Sequence, residues 1–136
     1  MKLTASASDV ESPATSQVQF WDRAAHGKVF AHPLDSERFR RLVPATAAVL
    51  DYGCGRGRLC GELAQSGYRS VIGVDYSPEM IAAAQREHPG ARFSVVDGAT
   101  LSFADGQFDA VLLFAVLTCI AADAAQHDLI AELRRV

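Results

Sequence analysis

Three acidic residues each stand at the end of a short apolar run: Asp51, Asp75 and Asp97. A carboxylate accepts hydrogen bonds from hydroxyl and amino groups and pairs with cations. Glycines follow two of these residues, in D-Y-G-C-G-R-G after Asp51 and in D-G at Asp97. Because glycine lets the backbone turn sharply and approach a ligand closely, the pattern indicates a binding site in which backbone and carboxylates converge.

The glycine-rich segment after Asp51 does not match the fingerprint of a dinucleotide-binding loop. Read from Gly53, G-x-G-x-x-G requires a small residue at position 58, which is Arg58; read from Gly55, it requires one at position 60, which is Cys60. Asp51 would also face a pyrophosphate with like charge. The segment therefore suits a ligand that carries an ammonium or another cation. The structural alternative is a plain strand-to-helix turn.

The other two carboxylates suit a nucleoside. Asp75 lies 20 residues after Gly55, where an acid can accept hydrogen bonds from both ribose hydroxyls. Tyr76 and Met80 could form an apolar wall for a purine, and Asp97 with the backbone N–H groups after it could pair with adenine. The structural alternatives are a strand terminus, core packing and an Asp-Gly turn. Together the three positions predict recognition of an amino-acid head, a ribose and an adenine, with no phosphate.

Short apolar runs alternate with helical segments from Pro44 onward. The runs are nearly continuous, as in parallel strands covered on both faces, so we predict an α/β fold with an open, mostly parallel sheet. Ligands of such sheets bind outside the carboxyl ends of the strands. Ser77 is the predicted N-cap of one helix, and Asp35 or Ser36 that of another. The predicted strands are 47–51, 70–75, 91–96 and 108–114, and the predicted helices are 17–25, 35–43, 58–67, 77–88 and 123–136.

Length and composition describe one domain with a substantial core. The chain has 136 residues, 49% of them hydrophobic, and a formal charge of −3. A domain of this size can fold without a metal or disulfides. Residues 1–16 are predicted to form a flexible arm, residues 17–43 a helical cover and residues 44–136 the α/β core. Basic residues are scattered, so we expect no nucleic-acid partner.

Cysteine usage and the N-terminal sequence indicate the compartment. Cys54, Cys60 and Cys119 are odd in number and lack metal-ligand spacing, so we expect free thiols in a reducing compartment and no metal. The N-terminus lacks the apolar core of a signal peptide, and no apolar run reaches the ~20 residues that span a bilayer. We expect a cytoplasmic protein without membrane contact.

The motifs that contain these residues, taken in order, resemble the class I S-adenosylmethionine (SAM)-dependent methyltransferases, in particular their small-molecule branch. They are VLDYGCGRGRL at 49–59, VIGVDYSPEMI at 71–81, FSVVDGATLSF at 93–103, FDAVLLFAVL at 108–117 and the closing AELRRV. The resemblance covers residues 20–136. It implies a Rossmann-like sheet and SAM as the cofactor.

The resemblance also implies roles for individual residues. They would hold the methionine end, the ribose and the adenine of SAM, and one backbone stretch would pass under the sulfonium. The residues are Asp51, Gly53, Cys54 and Gly55 at the methionine end, Asp75 at the ribose, Tyr76 and Met80 at the adenine face, Asp97, Gly98 and Ala99 at the adenine edge, and Phe114 and Ala115 under the methionyl group.

The activity that the resemblance implies is methyl transfer to a small-molecule acceptor. Transfer from a sulfonium is an in-line substitution, and alignment of the reactants can carry it without an acid or a base. No catalytic residue is assigned, and neither His32 nor His127 carries a signal of its own. The Asn/Asp-Pro-Pro-aromatic turn of enzymes that methylate DNA bases is absent after the fourth strand. Thr118 stands where relatives often have His.

Two features leave alternatives open. Relatives continue into further strands that do not follow Val136, so the implied strand order is 3-2-1-4 with an apolar fourth strand at an edge. We expect either a fragment of a longer protein, or a second copy or partner chain that covers this edge. The acceptor pocket would use the cover at 18–43, with Trp21, Phe30 and His32. The competing functions are a non-catalytic SAM-binding or interaction subunit and, with less support, a nucleotide binder of NAD type.

Overall fold

The computed structural model describes residues 13–27, 31–98 and 100–136, which contain a four-stranded sheet of order β3-β2-β1-β4. All neighbouring strands run parallel. The predicted α/β fold and strand order are confirmed. The strands are β1 (Ala48–Tyr52), β2 (Ser70–Asp75), β3 (Arg92–Val95) and β4 (Ala110–Leu112).

The helices lie before the sheet and between its strands. The first begins at Pro13, four residues earlier than predicted, while residues 1–12 of the predicted arm lie outside the described residues. A 3-10 turn follows β4, where the sequence predicts no helix. No helix in the described part of the chain combines the length and apolar character needed to cross a membrane. The helices are α1 (Pro13–Ala24), α2 (Ser36–Leu42), α3 (Arg58–Gln65), α4 (Pro78–Glu87) and α5 (Asp123–Arg135), and the turn is η1 (Leu117–Cys119).

The fourth strand is shorter than its apolar run. β4 has three residues, whereas the sequence predicts a strand over 108–114. Before it, the amide of Phe108 donates to the carbonyl of Val136 instead of to a strand. After it, the backbone turns at Ala115, whose φ is +56°. The apolar character of this run therefore reflects burial more than pairing in the sheet.

Two predicted N-caps are confirmed. Asp35 accepts a hydrogen bond from the amide of Arg38 at 3.0 Å, and Ser77 Oγ accepts one from the amide of Met80 at 3.0 Å. Each cap satisfies a backbone donor that has no acceptor within the first helical turn. Ser77 is fully buried, so its cap also fixes where α4 begins relative to β2.

Each face of the sheet packs against its own hydrophobic cluster, because side chains alternate in direction along a strand. In β1, Val49 belongs to the cluster beneath α3 and α4. Leu50 belongs to the cluster on the opposite face, which includes Leu129 and Leu133 of α5. The central strands β1 and β2 are therefore covered on both sides, as their continuous apolar runs predict, whereas β3 at one edge of the sheet is mostly exposed.

The parallel register places the strand ends at one edge of the sheet. Asp51 lies opposite Gly73 of β2 and Leu112 of β4, and Asp75 lies opposite Val95 of β3. This is the edge at which open α/β sheets bind ligands.

Candidate functional site

The glycine-rich loop after β1 is held by hydrogen bonds to the end of β2. The amides of Gly53 and Cys54 both donate to the carbonyl oxygen of Val74, at 2.8 and 2.9 Å. The amide of Gly55 donates to Asp75 Oδ2 at 2.9 Å. Because these three N–H groups already have protein acceptors, none of them is left to cradle a phosphate. The loop geometry agrees with the sequence argument against a dinucleotide.

Two glycines of this loop have different surroundings. Both have positive φ, +53° at Gly55 and +80° at Gly57, where a side chain is strained. A Cβ atom at Gly57 would lie 2.6 Å from Phe93 Cζ, so this glycine allows β3 to pack against the start of α3. Among the described atoms, a Cβ at Gly55 would come near Met80 Sδ alone, at 3.9 Å. Gly55 therefore leaves space beside the loop that a ligand can occupy.

Asp51 is a buried carboxylate beneath the loop. It is 2% exposed, and the thiol of Cys60 donates to its Oδ2 at 3.5 Å. Burial raises the pKa of Asp51 to about 6; the hydrogen bond from Cys60 opposes this rise, and the charge of Asp75 adds to it. A cationic group of a ligand would stabilise the ionised form. An ammonium is chemically a matching partner for this carboxylate, but the side chain is almost fully buried, so the contact predicted for Asp51 stays a prediction.

Asp75 connects the loop after β1 to the start of α4. The amide of Ser77 donates to its Oδ1 and the amide of Gly55 to its Oδ2, each at 2.9 Å. Burial raises the pKa of Asp75, and these two hydrogen bonds oppose the rise. Each carboxylate oxygen has more than one lone pair, so it can still accept from a ribose hydroxyl. The ribose role of Asp75 is chemically available and stays a prediction.

The residues predicted at the adenine face and in the loop differ in exposure. Tyr76 is half-buried, and its hydroxyl contacts the hydroxyl of Tyr52 at 3.2 Å. Met80 is 1% exposed and packs beneath Gly55, so its side chain lies in the core and not on an open wall. Cys54 is also buried, and burial raises the pKa of its thiol. What it contributes to the loop structure is its backbone amide, which donates to Val74. Cofactor contact by these residues stays a prediction.

The predicted adenine-edge segment lies beside the end of β2. The amide of Val96 donates to the carbonyl of Asp75 at 3.0 Å, which places the next residues at the same edge. Asp97 is exposed and Gly98 is half-buried, whereas Ala99 lies outside the described residues. The fold thus brings Asp97 to the edge that carries the other two carboxylates.

The backbone is strained just beyond β4. Ala115 has a φ of +56°, a conformation that costs a non-glycine residue roughly 1 kcal/mol or more. Its carbonyl accepts hydrogen bonds from Thr118 Oγ1 at 3.1 Å and Cys119 Sγ at 3.4 Å. Phe114 is half-buried and packs against the cluster beneath α3 and α4. Strain of this kind is common at functional positions, and contact with the methionyl group stays a prediction.

Helix α1 lies across the carboxyl edge of the sheet. The hydroxyl of Ser77 donates to Asp22 Oδ1 at the start of α4, and Gln17 Nε2 donates to the carbonyl of Cys119 at 3.5 Å. Arg56 of the loop donates to a backbone carbonyl just after α1. Sequence patterns do not reveal these contacts, because they join residues 31 to 102 positions apart.

Of the residues predicted to line an acceptor pocket, the structure describes Trp21 and His32. Trp21 is half-buried on α1, and its Nε1 donates to Gln17 Oε1 at 3.2 Å. His32 is exposed, and its carbonyl accepts a hydrogen bond from Arg58. Phe30 lies outside the described residues. The acceptor contacts of these residues stay predictions.

Comparison with known proteins places this geometry in a family. A family model described as a methyltransferase domain matches residues 49–136. EEF1A lysine methyltransferase 4 from Mus musculus is 35% identical over 107 residues, which cover 71% of this chain. The chain spans 42% of that protein and less than half of the other curated relatives compared with it.

Solved structures share the fold. A TehB-like SAM-dependent methyltransferase from Corynebacterium glutamicum matches with a TM-score of 0.65 at 27% identity, over 90% of this chain and 65% of its own. A SAM-bound amino pentose methyltransferase from Micromonospora echinaspora matches with a TM-score of 0.63 at 25% identity, over 98% of this chain and 52% of its own. Both matches extend over nearly the whole chain, so the likeness is not confined to the glycine-rich loop.

Proposed function

The chain belongs to the methyltransferase-domain family, and on this premise we propose that it binds SAM and transfers the methyl group to a small-molecule acceptor. One observation carries the cofactor proposal. The amides of Gly53, Cys54 and Gly55 are bonded to the end of β2, while Asp51 and Asp75 lie at the same edge. A ligand with an ammonium and a ribose but no phosphate matches such an edge.

The proposed mechanism relies on alignment. When bound, SAM supplies a methyl group already activated by a sulfonium. Asp51 would pair with the ammonium, Asp75 would accept from the ribose hydroxyls, and Asp97 would contact adenine. Helix α1, which is bonded to Ser77 and Cys119 at this edge, would limit the access of water to it. Alignment and exclusion of water together can lower the barrier without a side-chain acid or base.

The small-molecule acceptor is the finer part of the proposal. The compared relatives include one named for a protein lysine and one named for an amino pentose. In this chain α1 reaches from Cys119 of η1 to Ser77 at the start of α4, so it narrows the approach to the edge. A narrow approach favours a small acceptor over the surface of a folded protein.

Calorimetric titration with SAM and with its demethylated product, S-adenosylhomocysteine (SAH), tests cofactor binding. Asp75→Asn keeps the shape of the side chain but removes its charge and the acceptor of one backbone amide, that of Ser77 or Gly55, and we expect affinity to fall about tenfold or more. Asp128→Asn makes the same change at an exposed position of α5 and should leave the affinity unchanged. Folded protein that binds neither ligand at millimolar concentration would contradict the proposal.

Turnover assays test the acceptor. SAH formation is measured with small amines, hydroxyl compounds and thiols, and in parallel with a lysine-rich protein. Transfer to a small acceptor supports the proposal, and transfer to the protein alone contradicts it. SAM binding without turnover on any acceptor would favour the non-catalytic subunit.

A partner that pairs with the outer strand β4 is also proposed. Among the described residues β4 pairs with β1 alone, which leaves its outer edge unpaired. We propose that a second copy or a partner chain pairs there. Size-exclusion chromatography with light scattering tests this, and a stable monomer would contradict the second copy. The proposed compartment is the cytoplasm, which the three free cysteines support.

A further inference from the structure

Two consecutive hydrogen bonds, which share the Tyr76 hydroxyl, connect the ends of three strands. Tyr52, the last residue of β1, donates from its hydroxyl to the hydroxyl of Tyr76 at 3.2 Å. Tyr76, just after β2, donates in turn to the carbonyl of Gly98 at 3.3 Å. The two rings meet edge to face, with centroids 6.3 Å apart. We refer to Tyr52, Tyr76 and Gly98 as the tyrosine relay.

Tyr52 is placed where it can act on a ligand only through its neighbours. It is 2% exposed and packs in the cluster on the α5 face, together with Val74 and Leu101. A phenylalanine would fill the same space without a buried hydroxyl that needs a partner. Burial raises the pKa of Tyr52, so the hydroxyl stays protonated and remains a donor at neutral pH. The hydroxyl therefore has a role beyond packing.

The far end of the relay is a glycine between two packed residues, because Val96 and Leu101 both belong to the cluster on the α5 face. A Cβ atom at Gly98 would come no closer than 4.0 Å to the amide of Thr100, its nearest described neighbour. The amide of Val96 donates to the carbonyl of Asp75, and the bond from Tyr76 adds a second connection two residues further on, at the Gly98 carbonyl. The neighbouring Asp97 side chain is exposed at the carboxyl edge. Tyr76, which is itself contacted by Tyr52, thus acts on the carbonyl next to Asp97.

We propose that Tyr52 is a positioning residue for the adenine edge of the cofactor site. Through Tyr76 it holds the Gly98 carbonyl, one residue beyond Asp97. The inference rests on the proposed function, because the adenine edge has a role only if SAM binds. In this proposal the hydroxyl of Tyr76 orients the Gly98 carbonyl, whereas its ring makes the predicted apolar contact with adenine.

The variant Tyr52→Phe removes the first donor of the relay and keeps the ring. Tyr68→Phe is its matched control. Tyr68 is 3% exposed, and its hydroxyl donates to the carbonyl of Val43 at 2.6 Å, before β2 and away from the carboxyl edge. Both variants lose one buried hydroxyl with its hydrogen bond. A general loss of stability would therefore affect both, whereas a positioning effect belongs to Tyr52 alone.

Hydrogen exchange in the ligand-free protein gives the first measurement. In Tyr52→Phe, peptides that cover residues 96–101 should exchange roughly three- to tenfold faster, as expected for the loss of one hydrogen bond. The same peptides should be unchanged in Tyr68→Phe. Unchanged exchange in Tyr52→Phe would overturn the inference, and this readout does not depend on cofactor binding.

Ligand discrimination gives the second measurement. Calorimetry compares SAH with S-inosylhomocysteine, in which oxygen replaces the amino group of adenine. We expect Tyr52→Phe to lower the affinity for SAH roughly three- to tenfold and to affect the inosine analogue less, so that discrimination falls. Tyr68→Phe should discriminate as the unaltered protein does. Unchanged discrimination in Tyr52→Phe would overturn the inference even if exchange becomes faster.

A double variant tests whether Tyr52 acts through Tyr76. Tyr76→Phe should lower discrimination at least as much, and Tyr52→Phe added to it should cause no further loss. Additive losses would overturn the relay. Should Tyr52→Phe fail to fold, Tyr76→Phe removes the second donor of the relay at a half-buried position. The same loss of discrimination is then expected for this variant. Failure of the unaltered protein to bind SAH would instead reject the proposed function, and the inference with it.

Discussion

The two sides of the carboxyl edge of the sheet are built differently. On the β1–β2 side, the loop amides donate to the Val74 carbonyl and to the Asp75 carboxylate, which also accepts from the amide of Ser77. On the β4 side, the strand is three residues long, the backbone turns at Ala115, and Gln17 reaches over from α1. The proposed cofactor side is therefore preorganised by hydrogen bonds between the ends of two adjacent strands, whereas the other side depends on contacts from η1 and α1.

The two sides also differ in what they cost the free energy of folding. On the β1–β2 side the cost is electrostatic, because burial raises the pKa of both Asp51 and Asp75. On the β4 side the cost is conformational, at the positive φ of Ala115. Both costs are typical of functional positions, where stability is given up for binding geometry. Substitutions that change only the electrostatic cost or only the conformational cost can test how each side contributes to stability and to binding.

The largest effect is expected at Gly57, where the loop packs closely against β3 and α4. Gly57→Ala would place a Cβ 2.6 Å from Phe93 Cζ and 3.2 Å from Ala84 Cβ, at a φ of +80°. We expect the free energy of unfolding in urea to fall by about 3 kcal/mol, from backbone strain and overpacking together.

Gly67→Ala is the control for backbone strain alone. Gly67 has a φ of +94°, and a Cβ atom added there would have no described atom within 4 Å, so we expect a loss of about 1 kcal/mol. A loss at Gly57 no greater than the loss at Gly67 would show that the contact with β3 can relax. The packing role of Gly57 would then be wrong.

Asp51→Asn removes the electrostatic cost of the β1–β2 side. The pKa of Asp51 is raised from 3.8 to about 6, so at pH 8 the ionised carboxylate destabilises the fold. We expect the variant to be more stable than the unaltered protein at pH 8 by at most about 3 kcal/mol. As the pH falls from about 7 to about 4, the folded protein takes up a proton before the unfolded chain does. The difference between the two proteins should therefore shrink toward pH 4.

Affinity should move in the opposite direction to stability in this variant. The unaltered protein should lose affinity for SAH as the pH falls through about 6, because Asp51 is then neutral. Asp51→Asn should bind more weakly at pH 8 and depend less on pH. Asp128→Asn, at an exposed position, should change neither property. Equal affinity in Asp51→Asn and the unaltered protein at pH 8 would remove Asp51 from the ammonium site.

Gly55→Ala separates ligand space from packing on the same side. Its φ of +53° carries the strain of a left-handed residue, and its Cβ would meet Met80 Sδ at an ordinary 3.9 Å. We expect a stability loss of about 1 kcal/mol, similar to Gly67→Ala, because strain is the shared cause. SAH affinity should fall in Gly55→Ala and stay unchanged in Gly67→Ala. Unchanged affinity in both would show that the ligand does not use this space.

The smallest effect is expected on the β4 side. Ala115→Gly relieves the positive φ but gives the unfolded chain more freedom, so the net gain in stability should be at most about 1 kcal/mol. SAH affinity should change less than in Gly55→Ala, since the carbonyl of residue 115 can keep its bonds from Thr118 and Cys119. Thermal unfolding and calorimetry measure both. A clear loss of stability would mean that Ala115 is not strained.

Much of the fold is predictable because it depends on local pattern. The predicted limits of β2 match the observed ones, and the caps at Asp35 and Ser77 follow from residue type and position. The predicted β4 is too long, because an apolar run reports burial and not the partner of each amide. Spacing also does not show how deeply Met80 is buried, and its contact with the cofactor stays a prediction.

From the sequence alone it was possible to predict the strand order that its motifs imply. The sequence also showed that glycines form the loop after β1 and that carboxylates stand at the strand ends. Such features follow from short-range periodicity and from the rule that parallel strands end at one edge. Tertiary structure alone decided the contacts of Asp22 and Arg56 with distant elements and the line from Tyr52 through Tyr76 to Gly98. These depend on packing between residues 22 or more positions apart, and no local pattern encodes that packing.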